Sequence, residues 1–339
     1  MVVVLAAIIL LFLVSARPNE PSYAGKTLTQ WLLNTNADGF WIPNDVYGHI
    51  HDELWSVVSG PDSETNLTGP VSWQPVPVPD EVFMAVRHIG TNGIPRLIQL
   101  ISSRPGPWAT IRGAIAARLP QKWGGSFYPY DSRFFAQQLN VAAFEGFTIL
   151  GTNAEPALSA LSNLLFQGRD QLQLTWAMAN IGPKGMAVLT NALALTNDSL
   201  RDAAALALGL KYQQARLAVP ALVDSVERGD ATYDVLGALG RIGCDDPRLV
   251  PALVRLLEAK GAPANPKVNT GMAFLLLGLQ REKARVAAPL VIAEYRLVEG
   301  DAMAAAERGF YRRILMVIAP DLETQLPPRP PDEKSGLWP

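Results

Sequence analysis

The sequence predicts an all-α protein, an α-solenoid of about six to seven antiparallel helix pairs with an irregular N-terminal cap. Three observations predict it. An apolar quartet at i, i+3, i+4, i+7, the stripe of a helix buried on one face, recurs along the chain. Glycine directly follows several of these quartets, where a helix ends with a positive-φ residue. The quartets settle to a spacing near 30 residues, the length of a helix–turn–helix unit.

The first quartet is Val82-Ala85-Val86-Ile89, and a looser one follows at Ala143-Gly146-Phe147-Leu150. Then come Leu174-Ala177-Met178-Ile181, Ala203-Leu206-Ala207-Leu210, Val235-Ala238-Leu239-Ile242 and Met272-Leu275-Leu276-Leu279. The gaps between their starts are 61, 31, 29, 32 and 37 residues. Gly90, Gly151, Gly182 and Gly243 close four of the six. Second helices follow, with the same stripe at Ile94-Leu97-Ile98-Ile101, Val219-Leu222-Val223-Val226 and Val250-Leu253-Val254-Leu257. Pro95, Pro156, Pro220, Pro251 and Pro289 stand in or near their first turns, where a missing N–H costs nothing. A pair of this kind cannot bury its apolar faces alone, so successive pairs stack into one core.

The segments IGTNGIPRLIQLI, LGTNAEPALSALSNLL and AVPALVDSVERGD resemble bacterial HEAT repeats related to those of phycobilisome lyases. PSYAGKTLTQWL and EVFMAVRHIGTNGIP resemble a set of exported HEAT-repeat proteins. The resemblance covers residues 80–319 and implies HEAT-like helix pairs there. The 61-residue gap departs from the pattern: it holds a further helical run at 108–119 and an aromatic, Gly-rich loop at 120–133.

Residues 2–14 are unbroken apolar and end at Val14-Ser15-Ala16. As a helix they are too short for a bilayer core, and small residues at −3 and −1 suit cleavage after Ala16. Residues 1–16 are therefore expected to be a signal peptide or N-terminal membrane anchor, which places the chain outside the cytoplasm or on a membrane. Residues 17–79 are acidic and contain Trp and Pro. They read as a cap over the first helix pair, with Thr27 as N-cap of a short helix at 28–34. Residues 320–339 carry six prolines and read as an extended, disordered tail.

Composition narrows the function. Charged residues are 18% of 339, and the net charge is −2. Only residues 81–135 are basic, at +5. Phosphate affinity comes from clustered Lys and Arg, so no nucleic-acid partner is expected. The one cysteine, Cys244, allows neither a disulfide within the chain nor a Cys-rich metal site, and it reads as a small buried filler. His49 and His51 are two residues apart and do not share a helix face, so no metal site is expected. No nucleophile elbow or phosphate-binding loop is present, and no catalytic residue or cofactor is assigned. An enzyme or cofactor-handling protein built on the cap, lyase-like or metal-dependent, is the alternative.

The expected function is a non-catalytic scaffold binding a protein or peptide on the concave, second-helix face, with no small-molecule ligand. Arg96, Gln99, Asn191, Asp224 and Arg255 are its candidate contacts there. Trp108, Arg112, Trp123, Tyr128 and Tyr130 are candidates in the interrupted stretch, since Trp, Tyr and Arg dominate interface hot spots.

Overall fold

The computed structural model describes residues 20–33, 54, 58, 78–103, 132–168, 171–259, 269–301 and 304–328. Among them the fold is all-α, with one two-stranded hairpin. The chain divides into two compact units: residues 1–40 with 75–182, and 41–74 with 183–339.

In the first unit, β1 (Ser22–Tyr23) and β2 (Lys26–Thr27) pair antiparallel across a turn at Ala24 and Gly25. Helix α1 (Leu28–Leu33) follows at once. Thr27 caps it as the sequence predicts. Gln30 N donates to Thr27 Oγ1 at 3.3 Å, and Thr27 N donates back to Gln30 Oε1 at 2.8 Å. The Thr-x-x-Gln spacing makes this reciprocal box. Helix α2 (Asp80–Ile89) buries Val82, Ala85, Val86 and Ile89, the predicted quartet. Helix α3 (Ile94–Ile101) buries Leu100 where the stripe predicted Ile98. Helix α4 (Ser132–Leu150) packs against α1, α2 and α3. It starts at Ser132, so the loop expected at 120–133 ends two residues earlier. Helices α5 (Leu158–Phe166) and α6 (Gln171–Ile181) complete the unit, with α6 on α4 and α5.

The second unit holds α7 (Pro183–Ala192), α8 (Asp198–Gly209), α9 (Val219–Glu227), α10 (Tyr233–Ile242) and α11 (Leu249–Glu258). Helices α12 (Thr270–Gln280), α13 (Ala288–Val298) and α14 (Ala305–Ile318) follow. Asn197, Thr232 and Asn269 cap α8, α10 and α12, each accepting a backbone N–H three residues on. The first helices pack in order, α8 on α10, α10 on α12 and α12 on α14. The second helices do the same, α9 on α11 and α11 on α13.

The first helices are buried more completely than a single stripe requires. In α12 every residue from Met272 to Gly278 is buried. Second helices cover one side. On another, Leu54 and Val58, helical and four residues apart, lie buried against α10 and α12. A Cβ at Gly240 would stand 2.6 Å from Leu54 Cδ1, and one at Gly278 would stand 3.2 Å from Val58 Cγ1. Residues 17–79 were expected to cover the first pair. Residues 20–33 do pack on α2 and α4, but Leu54 and Val58 belong to the second unit. The rest of 34–77, including His49 and His51, lies outside the described residues, as do 1–19 and 104–131.

The tail also differs from expectation at its start. Pro320–Gln325 forms a 3₁₀ turn on α14, and Leu326 is buried. Arg312, buried in α14, donates to Tyr295 Oη at 2.9 Å and to the Pro327 carbonyl at 2.8 Å. Proline content marks chain that cannot continue a helix, and it does not prevent docking onto a buried donor.

Where α8 meets α10, a Cβ at Gly209 would stand 3.0 Å from Ala238 Cα and 3.2 Å from Ala238 Cβ. Gly209→Ala should therefore lower unfolding free energy in urea by about 1–2 kcal/mol through overpacking, despite the helix propensity of alanine. Gly300→Ala, with no atom within 4 Å of its Cβ, should change it by less than about 0.5 kcal/mol. Equal effects at the two sites would contradict the close helix approach.

Candidate partner-binding surface

The predicted contacts that are described are the five on second helices, Arg96 and Gln99 in the first unit and Asn191, Asp224 and Arg255 in the second. Arg96, expected on the contact face, is instead buried. Its side chain is internal, 7% exposed. Its Nε donates to Thr29 Oγ1 at 3.0 Å and stands 3.4 Å from Glu20 Oε2, while Nη1 donates to Gln99 Oε1 at 3.2 Å. Glu20 Oε1 also accepts from Thr29 N. Arg96 thus ties α1 to α3 and is not free to meet a partner. Gln99 and Asn191 are exposed. Trp108, Arg112, Trp123, Tyr128 and Tyr130 lie outside the described residues.

Asp224 and Arg255 belong to a ladder of ion pairs across α9 and α11. Arg248 stands 2.7 Å from Asp224, 2.8 Å from Asp246 and 3.4 Å from Glu227. Arg255 stands 3.3 Å from Glu227. Arg228 donates to the Leu193 carbonyl and to Ser225 Oγ. Hydrogen bonds from Arg248 hold the Asp246 carboxyl below its usual range. Half-exposed pairs of this kind add little stability. Their effect is to occupy each other.

A second ladder runs along the connectors between first and second helices. Tyr212–Ala218 and Arg281–Ala287 are 3₁₀ segments of matching sequence, YQQARLA and REKARVA. Ala215 and Ala218, and likewise Ala284 and Ala287, are buried. The arginine after the first buried alanine points along the row. Arg216 pairs with Asp245 at 2.7 Å, Lys283 reaches the same Asp245 at 3.6 Å, and Arg285 pairs with Asp321 at 2.5 Å. Arg285 in turn holds the Asp321 carboxyl below its usual range. The next residue in each connector is apolar and exposed: Leu217 at 90% and Val286 at 66%. Sequence reasoning missed these residues. The repeated Ala-Arg-x-Ala-x-Pro, visible at 215–220 and 284–289, was the available signal.

A cavity of about 680 Å³ opens on this edge. Leu239, Ile242, Leu276, Leu279 and Val317 form its apolar wall, and Cys244, a buried free thiol, lines it. Burial pushes the Cys244 thiol up from its usual range. Arg281 stands at the rim. Its backbone has φ 53° and ψ −137°, close to the φ 61° and ψ −143° of Gly90 at the matching place in the first unit. All four predicted glycines have positive φ as expected. Tyr212 and Arg281 adopt positive φ without being glycine.

Among the described residues no group of three or more His, Cys, Asp or Glu is placed to hold a metal. Comparison with known proteins found no matching family model, curated protein or solved structure.

Arg281 occupies a region that strains any residue with a Cβ. Arg281→Gly should raise unfolding free energy in urea by about 1–2 kcal/mol, and a destabilised variant would contradict the strain.

Asp234, in the first turn of α10, is the other unfavourable group. Burial first, and the Asp202 carboxylate second, push its carboxyl up to about 7. Asp202 is engaged with the Thr232 hydroxyl at 2.8 Å. The folded-state value lies above the unfolded one of about 4. The contribution is therefore complete below about pH 4 and is lost as pH rises through about 7. Urea unfolding of wild type relative to Asp234→Asn should weaken by about 4 kcal/mol between about pH 4 and pH 8. A constant difference would contradict the raised value.

Proposed function

We propose that the chain is a non-catalytic interaction scaffold, a stack of HEAT-like helix pairs that binds a protein or peptide partner outside the cytoplasm, exported or anchored through residues 1–16. The observation that carries this is the connector edge of residues 183–339. There Leu217 and Val286 stand exposed at the same step of two matching connectors, and ion pairs at Asp245 and Asp321 brace the segments that hold them. Two first-helix steps separate the connectors, about 20 Å at ordinary helix spacing. That is the reach of about six residues of extended chain.

The connector edge is a better contact surface than the second-helix side. On the second-helix side Asp224, Glu227, Arg248 and Arg255 already neutralise one another. Rigid exposed aliphatics flanked by fixed charges give a partner apolar anchors at low ordering cost. Export is supported by the apolar run 2–14 and the small residues at 14–16. Among the described residues no helix is long and apolar enough to cross a membrane.

The test is a pull-down from envelope fractions, comparing wild type with a Leu217→Glu, Val286→Glu double variant. The wild type should recover a defined partner that the variant loses by at least about tenfold, the effect of removing two apolar anchors. Recovery of the same partner by both would contradict the surface. Mass analysis should find the recovered chain starting at Arg17 or retained in the membrane fraction, and a soluble cytosolic chain starting at Met1 would contradict export.

A further inference from the structure

We infer that the cavity beside the connectors binds the C-terminal carboxylate of an extended peptide, with Arg281 as the residue that recognises the anion. The inference rests on the scaffold reading for the class of partner and goes beyond it in naming the recognised group and its site.

Charge at the rim is unbalanced. Arg216, Arg281 and Lys283 line the cavity with Asp245 and Glu282. Arg216 and Lys283 share Asp245. Glu282 acts electrostatically on Arg285 in the same connector. Among the described residues the Arg281 guanidinium forms no ion pair or hydrogen bond. A guanidinium is a planar fork that matches a carboxylate with two parallel hydrogen bonds.

The backbone supplies an independent argument. Arg281 holds nearly the φ and ψ of Gly90, where glycine is free of strain and arginine is not. Non-glycine residues held in such regions cluster at ligand sites. A glycine here would complete the connector equally well and would lack only the guanidinium.

The remaining walls fit a peptide better than a simple acyl chain. The cavity volume is in the range of small-ligand sites. Its apolar wall suits an aliphatic last residue. The cavity lies at the C-terminal ends of α10 and α12, where cap N–H groups engage the Leu239 and Gly278 carbonyls and the remaining last-turn carbonyls lack intrahelical donors. Gln213 and Gln280 add amide groups. An extended peptide brings N–H groups to such acceptors, while a fatty acid brings none. The same helix ends repel a bare anion, and of the lining cations Arg216 and Lys283 already share Asp245, so a carboxylate is held chiefly through Arg281.

The test uses the full chain and four probes: N-acetyl tetrapeptides ending in leucine or valine with a free carboxylate, the same peptides as C-terminal amides, decanoate, and buffer alone. Calorimetry reads binding. Alkylation of Cys244, the one thiol of the chain, by iodoacetamide reads its location. Free-acid peptides titrated into the millimolar range should bind and slow alkylation by at least about fivefold, as occupancy at several times Kd requires. Amides and decanoate should not. Arg281→Gly should lose the protection with no fall in melting temperature, which separates loss of the anion contact from loss of fold. Equal protection by the amides, protection by decanoate alone, full protection in Arg281→Gly, binding without protection, or no binding by any peptide would each overturn the inference. A failure here together with partner loss in the Leu217→Glu, Val286→Glu variant would leave the scaffold reading standing.

Discussion

The first helices of the second unit are buried on more than one face, and neighbouring elements close over them. Helix α12 is the extreme case, buried from Met272 to Gly278. A helix of that kind is stable only when neighbours close on every side. Row neighbours α10 and α14 supply two sides, α11 packs against it, and Val58 arrives at Gly278 from a distant part of the chain. Gly209, Gly240 and Gly278 permit these approaches, because a Cβ at any of them would meet Ala238, Leu54, or Ile314 and Val58. Close packing of this type is sensitive to single methyl groups.

That burial fixes where variation is possible. With the first helices largely packed, the most exposed large aliphatics among the described residues of this unit stand on the connectors, Leu217 and Val286, and on second helix α13, Leu297. On α9 and α11 the charges pair internally through Arg248 and Glu227. On the connectors, buried alanines anchor each turn while Leu217, Val286 and Arg281 face outward. Rigid support and exposed anchors therefore coincide on one edge of this unit.

Much of the helical framework was legible in the sequence, because it depends on local periodicity. The quartets at 82–89, 174–181 and 235–242 are buried throughout, and Gly90, Gly151, Gly182 and Gly243 have positive φ. The candidate surface was less legible. Arg96 reads as a surface residue by its helical position, and its burial depends on Glu20 and Thr29, 76 and 67 residues away. The docking of Leu54 and Val58 is likewise set by glycines far along the chain. Positive φ at Tyr212 and Arg281 leaves no compositional trace, since glycine is the signal one looks for. The connector repeat was visible, but its charges gain meaning only when Asp245 and Asp321 are brought beside them.

The claim that the connector edge is the contact surface is tested most directly by site-specific photo-crosslinking in cells. A photoreactive residue replaces Leu217 on a connector or Leu297, which is exposed on second helix α13. A discrete crosslinked partner is expected from position 217 and none from position 297. A partner captured from position 297 alone would contradict it.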